Sequence, residues 1–515
     1  MAKVYVDNQE IELADDERLN GIQAARLAGA EVPHYCWHPG LSVVASCRMC
    51  LVETGRKDAE SGEISMMPKL VPACQTPATD GTVFVTDSEK VRQARAMVEE
   101  DLLLRHPIDC PICDKAGECS LQDYHFQHGR SERRADIEPF TSRRRSLGDT
   151  VTLFVDRCVM CSRCVRFCRE VAGTSELMVS QRGAHEEIDV FPGFPLENGL
   201  SGNVVDLCPV GALGDKDFLY SQRVWFMQGH EGVCAGCSTG CNIEVEENQS
   251  RIYRLKPREN QDVNQWWMCD EGRYDWKYVH DENRLHVPAV QIDGQGQVVE
   301  WSQLIPQVDA TVKKANRIAA VLSPFLTSEE AHLLADYIRS IDSQAILVLG
   351  HVPIEGDEQT FPTGFTIRNE KCPNRRGIEA VLEKFGGPTS DWQSLIADGL
   401  RDIDTCWLTA GYPKAWHDES VLEAFAEVNT LIIQDIFDSP LWQFANYQLP
   451  AATFVERSGT FVNHDGIEQS FDWSIRPPVG VQVEGQIYWQ LLQRPGMYDA
   501  EQVREEMESL VSASD

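Results

Sequence analysis

Fifteen cysteines and one histidine fall into four tight groups within the first 270 or so residues, a pattern that metal chemistry asks for. The first group is Cys36, Cys47, Cys50 and Cys74, spaced C-x10-C-x2-C-x23-C. Four thiolates are the complement of a [2Fe–2S] cluster, and a close C-x2-C pair suits two ligands on one iron. Zinc, or four unligated thiols, are the other readings of that spacing. The second group, His106, Cys110, Cys113 and Cys119, lies in HPIDCPICDKAGEC. Three cysteines in one short loop need a fourth ligand, and no fourth cysteine stands nearby. His106 offers an imidazole, which replaces thiolate in some clusters. A histidine beside a proline is as often a surface or helix-end residue, so position alone leaves both readings open.

The third group is Cys158, Cys161 and Cys164, completed by Cys208, which is followed by Pro209. C-x2-C-x2-C with a remote C-P is the bacterial ferredoxin pattern for a [4Fe–4S] cluster. Cys168 sits where two-cluster ferredoxins place a ligand for their other cluster. SGNVVDL, ahead of Cys208, brings no second cysteine run, so Cys168 reads as a spare thiol. The fourth group, Cys234, Cys237, Cys241 and Cys269, is spaced C-x2-C-x3-C-x27-C. It too suits a [4Fe–4S] cluster; zinc could use the same ligands, but three neighbouring cluster groups favour iron–sulfur. Cys168, Cys372 and Cys406 are left over and read as structural.

Of the 18 cysteines, all but Cys372 and Cys406 lie at or before Cys269. The opening MAKVYVDNQE has neither the basic nor the apolar region of a secretory signal. The expectation is a cytoplasmic, reducing compartment, where disulfides rarely persist and clustered thiols bind metal. No stretch approaches the roughly 18 apolar residues of a membrane span, so any membrane contact is expected through partner proteins. A formal charge of −33 argues against nucleic acid and is otherwise a source of solubility. The one basic run, Arg130 to Arg145, is short and interrupted, suiting a junction or an acidic partner.

The elements that must carry these groups are also legible. At 515 residues several domains are expected. KVYVDNQEIEL (3–13) alternates as a β-hairpin, and 17–28 reads as a helix ended by Gly29. LVE (51–53) and TVFV (82–85) add strands, giving a small mixed sheet with one helix over 1–85. Thr86 with Glu89 forms a capping-box pattern opening a helix to about Arg105, with Val91, Ala94, Val98 and Leu102 as its core stripe. Beyond about 285, RIAAVLS (317–323), AILVLG (345–350), TCWLTAG (405–411) and NTLIIQD (429–435) are short apolar runs of strand length. A capping box at Thr327 and Glu330 opens a helix between the first two, and ESVLEAFAEV lies between the last two. Alternating strands and helices imply a parallel sheet, and no G-x-G-x-x-G follows any of these strands.

The strings PHYCWHPGLSVVASCRMCLVE, HPIDCPICDKAGECSLQDY, CVMCSRCVRFC and GNVVDLCPVGAL resemble the large iron–sulfur subunit of respiratory complex I, the G-type or 75 kDa subunit of NADH–quinone oxidoreductase. The resemblance implies that His106 is a ligand. The fourth group, ending in WWMCDEGR, resembles the cluster domain of molybdopterin oxidoreductases, and IRNEKCPNRRGIEAV and LPAATFVERSGTFVNHDGIEQ resemble later segments of that fold. Neither Cys372 nor Cys406 stands in a recognisable molybdenum-ligand context, so a shortened, structural version of the fold without molybdenum is expected. The implied architecture is α+β and multidomain: a [2Fe–2S] ferredoxin-like β-grasp (1–85), a His/Cys3 [4Fe–4S] domain (86–145), a ferredoxin-like [4Fe–4S] domain (146–225), a molybdopterin-oxidoreductase-type cluster domain (226–282) and a degenerate α/β domain with a parallel sheet (283–515). The implied role is electron relay by a chain holding one [2Fe–2S] and three [4Fe–4S] clusters, the fourth being one that some bacterial members of the family keep off the main electron path. Electrons would pass from a flavin-bearing, NADH-oxidising partner toward quinone, in a complex peripheral to the cytoplasmic face of the membrane. No flavin or dinucleotide site of the chain's own is evident. The rivals are a soluble NAD-linked formate dehydrogenase or hydrogenase with the same front modules, and a colourless structural zinc scaffold.

Overall fold

A computed structural model of the chain describes residues 2–14, 18–141, 143–183, 185–292 and 294–512. The chain divides into two compact units, residues 1–227 with 361–363, and residues 228–360 with 364–515.

The first unit opens on the expected hairpin, β1 (Ala2–Val6) and β2 (Gln9–Leu13). Asp7 and Asn8 both take left-handed backbone (φ 47 and 71), the geometry of a tight hairpin turn that Asp and Asn tolerate. The helix expected over 17–28 is α1 (Gly21–Leu27); position 17 lies outside the described residues. Its cap is Asn20, whose side chain accepts from the N–H of Ile22 and Gln23 while Gln23 Oε1 accepts from Asn20 N–H. With β3 (Leu51–Lys57), β4 (Ile64–Met66), β5 (Val71–Pro72) and β6 (Thr82–Val85), the strands form one mixed sheet in the order β2-β1-β6-β3-β4, with β5 on β3. β1 and β6 run parallel and the other pairs antiparallel. Val4, Val6, Ile22, Ala25, Val52 and Phe84 close the core between sheet and helix.

The next helix, α2 (Glu89–Leu103), corrects two expectations. Its cap is Ser88, whose Oγ accepts from Val91 N–H at 3.3 Å. Thr86 is taken instead by Asp7 in the hairpin turn, to which its N–H donates at 2.7 Å and its hydroxyl donates as well. The innermost row is Val91, Arg95 and Glu99, one turn apart, while Ala94, Val98 and Leu102 are only half-buried. Glu99 accepts from the Tyr35 hydroxyl, which explains a buried acid in that row.

Past α3 (Ser120–His128), β7 (Arg144–Ser146), β8 (Val151–Phe154) and β11 (Leu213–Asp215) make a three-stranded sheet, order β11-β8-β7. Between β8 and β11 the chain forms α4 (Arg163–Glu170), the hairpin β9 (Leu177–Ser180) and β10 (Glu187–Val190), and α5 (Asn203–Leu207). The basic run is tied back onto its own unit: Arg134 to Glu100 at 2.7 Å, Arg143 to Asp156 at 2.9 Å and Arg145 to Asp189 at 2.7 Å. Three of its arginines are engaged in these pairs.

The second unit begins with a three-stranded antiparallel sheet of β12 (Gln228–Val233), β13 (Asn242–Asn248) and β14 (Arg251–Pro257), followed by the short helix α6 (Asp270–Tyr274). After the edge hairpin β15 (Ala289–Ile292) and β16 (Gln295–Val298), α7 (Trp301–Val312) leads into the parallel sheet expected from the apolar runs. β17 (Ile318–Leu322) lies between β18 (Ile346–Leu349) and Thr405–Thr409, with Thr430–Asp435 and Tyr447–Pro450 beyond, all parallel. Both faces are covered. Ile318, Ala320 and Leu322 pack with Leu333 and Leu334 of α8 (Ser328–Ile341). Ala319 and Val321 pack with Val421 and Phe425 on the opposite face. A strand buried on both sides needs no polar alternation, which is why the apolar runs are continuous.

Candidate metal centres

The cysteine groups sit on loops and at the ends of helices and strands. In the first, Cys36 follows α1, Cys47 and Cys50 precede β3, and Cys74 follows β5. Cys36, Cys50 and Cys74 are at most 1 % exposed. Hydrogen bonds among the sulfurs lower the Cys36 and Cys50 thiols and raise Cys47 and Cys74, so the four draw together as one set. Cys36 N–H donates to the Cys47 sulfur at 3.5 Å. Ala45 and Arg48 hold left-handed backbone (φ 52 and 60), a strain that non-glycine residues accept where a loop must wind around something.

The second set closes around a cavity of about 370 Å³ lined by His106, Cys110, Cys113 and Cys119. Arg157, 3 % exposed, donates to Asp109 through Nε at 3.0 Å and Nη2 at 2.9 Å, pinning the residue before Cys110. Burial, then the nearby Arg157 guanidinium, pulls His106 down to about 4. The imidazole is therefore neutral at pH 7 with a nitrogen lone pair free for a metal. Burial pushes the Cys119 thiol up to about 11, so metal binding here must displace a proton.

In the third set Cys158, Cys161, Cys164 and Cys208 line one small cavity whose other walls include Leu153, Ile188 and Leu213. Cys168 is fully buried outside that wall. Met160 and Ser162 take left-handed backbone (φ 47 and 58), and Met160 N–H donates to the Cys158 sulfur at 3.4 Å. The fourth set repeats this device, with Gly236 N–H to the Cys234 sulfur at 3.4 Å and Gly272 N–H to the Cys269 sulfur at 3.3 Å. Such N–H donors favour the anionic sulfur that iron needs. Cys234, Cys237, Cys241 and Cys269 are 4–6 % exposed.

Two glycines show how closely backbone wraps the sulfurs. A Cβ at Gly211 would lie 2.1 Å from the Cys113 sulfur, and one at Gly272 would lie 2.9 Å from the Cys234 sulfur. Gly211→Ala is expected to eject the second set's cluster alone, dropping chemically measured iron by about four per chain. An unchanged iron count in that variant would contradict the assignment. Among the described residues no three His, Cys, Asp or Glu side chains converge as a single bound ion requires.

The remaining thiols stand apart from these sets. Cys372 and Cys406 are fully buried, Cys372 against Phe325 and Tyr412 and Cys406 in one face of the parallel sheet. Chain order reverses between β17 and Thr405–Thr409, and at their carboxyl ends opens a cavity of about 940 Å³ lined by Phe325, His351, Tyr412 and Trp416. Among the described residues its only thiol is Cys234.

Matches to known families follow the same order along the chain. They are the "2Fe-2S iron-sulfur cluster binding domain" over residues 1–89 and the "NADH-ubiquinone oxidoreductase-G iron-sulfur binding region" over 95–134. The "NADH-quinone oxidoreductase subunit 3, ferredoxin-like domain" follows over 148–214 and the "Molybdopterin oxidoreductase Fe4S4 domain" over 227–281. A "Molybdopterin oxidoreductase" match covers 399–494. The G-type NADH-quinone oxidoreductase subunit of Rickettsia felis is 32 % identical over 345 residues, 67 % of this chain and 50 % of the relative. The chain belongs to the G-type, or 75 kDa, subunit family of NADH–quinone oxidoreductase.

Other members of the 75 kDa subunit family agree. The 75 kDa subunit of NADH-ubiquinone oxidoreductase from Reclinomonas americana is 34 % identical over 69 % of this chain and 50 % of its own length. The mitochondrial NADH dehydrogenase [ubiquinone] iron-sulfur protein 1 of Solanum tuberosum is 34 % identical over 68 % of this chain and 46 % of its own. The chain thus spans about half the length of the curated relatives it matches. A solved NAD+-reducing [NiFe]-hydrogenase in the H2-reduced state is 26 % identical, covering 43 % of this chain and 91 % of that chain, with a TM-score of 0.36.

Proposed function

We propose that the chain is an electron-relay subunit of an NADH–quinone oxidoreductase, taking electrons from a flavin-bearing, NADH-oxidising partner and passing them toward a quinone-reducing one. Its cofactors in this reading are one [2Fe–2S] cluster on Cys36, Cys47, Cys50 and Cys74 and three [4Fe–4S] clusters on the other sets, without molybdenum. Bound clusters supply one-electron redox chemistry; the chain supplies their positions and the groups that set their potentials. The observation that carries the reading is contact between the third set and each of the first two within the first unit. Arg163, beside Cys164, donates to Trp37 O at 2.6 Å, next to Cys36, and to Leu207 O at 3.2 Å, next to Cys208. Ser120, next to Cys119, donates from its N–H to Pro209 O at 2.9 Å. Ligand loops that touch hold their sets close, as an electron path needs. The domain boundaries 85/86, 145/146, 225/226 and 282/283 that separate these modules are part of the same reading. Among the described residues no helix is long and apolar enough to cross a membrane, which suits a peripheral position on the cytoplasmic face held by partner subunits.

The test is iron, sulfide and molybdenum content of anaerobically purified protein with EPR after reduction. About 14 irons per chain and no molybdenum is the expected result. Molybdenum would move the reading to the formate-dehydrogenase-like enzyme, and zinc in place of iron would sink both. A finer test uses the second set. His106→Cys is expected to keep its cluster at a lowered midpoint potential, because a thiolate replaces a neutral ligand and adds negative charge. An unchanged potential in EPR-monitored titration counts against His106 as ligand.

A further inference from the structure

Helix α4 carries Cys164 of the third set, but one of its faces is given to the first. Arg163, Arg166 and Glu170 are spaced i, i+3 and i+7, which puts them on one side of a helix. All three reach the loop that follows Cys36. Arg163 holds Trp37 O, as above. Glu170 accepts from Ser42 N–H at 2.8 Å and from Ser42 Oγ at 2.7 Å. Arg166, between them, reaches further. Its Nη1 donates to Ser42 O, and its Nη2 donates both to Cys36 O and, at 3.2 Å, to Cys161 O. Its Nε donates to Ser162 Oγ at 3.4 Å. One guanidinium therefore binds the backbone of a ligand in the first set and of a ligand in the third.

The chemistry of those contacts is unusual for a buried cation. Arg166 is 2 % exposed, and each of these hydrogen-bond partners is a neutral carbonyl or hydroxyl oxygen. A guanidinium withdrawn from water costs several kcal/mol unless opposite charge lies close. Glu170, four residues along the helix, is one source, and Cys36 and Cys161 are the others: cysteinate-bound iron–sulfur clusters carry net negative charge, and reduction adds to it. A fixed cation between two such groups favours the reduced form of each.

Resting on the relay reading above, we propose that Arg166 is a positioning residue shared by the first and third clusters, clamping their ligand loops together and serving both as buried countercharge. The planar fork matters as much as the charge, because a compact ammonium cannot hold three carbonyls in fixed directions.

The experiment is EPR-monitored redox titration of the full chain with its clusters, comparing wild type, Arg166→Gln, Arg166→Lys and Arg92→Gln. Arg92, whose side chain is 55 % exposed, makes the same net-charge change far less buried. In Arg166→Gln the reduction equilibria of the [2Fe–2S] and third-set clusters are both expected to fall about tenfold, 59 mV for a one-electron couple. Arg166→Lys should lower both by less, and Arg92→Gln should move neither. A shift in only one cluster, or in none, overturns the shared role. So does a shift as large in Arg92→Gln. If Arg166→Gln fails to hold iron, Arg166→Lys is read alone: both potentials lowered supports the proposal, and one or none overturns it. Wild-type protein lacking either signal overturns the relay reading instead.

Discussion

Cys161→Ala is expected to remove the third set's cluster outright, lowering iron by about four per chain and leaving the [2Fe–2S] signal in place. Three ligands remain, and the spare thiol closest in sequence is Cys168. That thiol is fully buried outside the cavity wall, and burial raises it to about 12. A thiol in that state is neither deprotonated nor aimed for ligation, so rescue is not expected. Because Arg163 and Arg166 tie this set to the first, the variant should also slow electrons passing from the [2Fe–2S] site to the second set. Iron analysis with rapid-mixing reduction followed by EPR checks both statements. Retention of a full [4Fe–4S] complement would mean that Cys168 moves into the site.

The second large effect lies in the other unit and concerns folding. Arg457 is 3 % exposed at its side chain, with Glu330 at 2.7 Å and Glu484 at 2.9 Å. Arg457→Ala leaves two carboxylates buried with no cation, and breaking such a set by one partner costs about 3–5 kcal/mol. Arg457→Met with Glu330→Gln and Glu484→Gln removes the charges together and should cost far less. Thermal unfolding followed by circular dichroism distinguishes them. Equal stability of the single and triple variants would show that the ions are not what holds this corner. Glu330 also caps α8, through Thr327 N–H to Glu330 Oε2 at 3.1 Å, so the ion set and the helix start are one structure.

Much of this is legible in the sequence. Cysteine spacing marks all four loops, since ligation imposes short-range rules on the chain. The parallel strands are legible because burial on both faces leaves continuous apolar runs. Thr86 misleads because its partner, Asp7, lies 79 residues away in a turn, and a local capping pattern carries no record of such competition. Arg95 and Glu99 escape notice in α2 because a period search counts apolar residues, whereas here a tyrosine hydroxyl makes a buried acid acceptable. Arg166 is equally inconspicuous inside CVMCSRCVRFC. Its partners, Cys36 and Ser42, are 130 and 124 residues away, so only the folded backbone shows what it joins. The same holds for Arg284, paired with Glu456 at 2.7 Å, both 1 % exposed.

The seat of Ser120 and Cys113 on the Pro209–Gly211 segment also bears on how the protein matures. The second set is complete in sequence by Cys119, yet its loop rests on residues nearly a hundred positions later. During synthesis, then, the second motif leaves the ribosome before the segment on which its loop rests, and its final shape waits for that segment to follow.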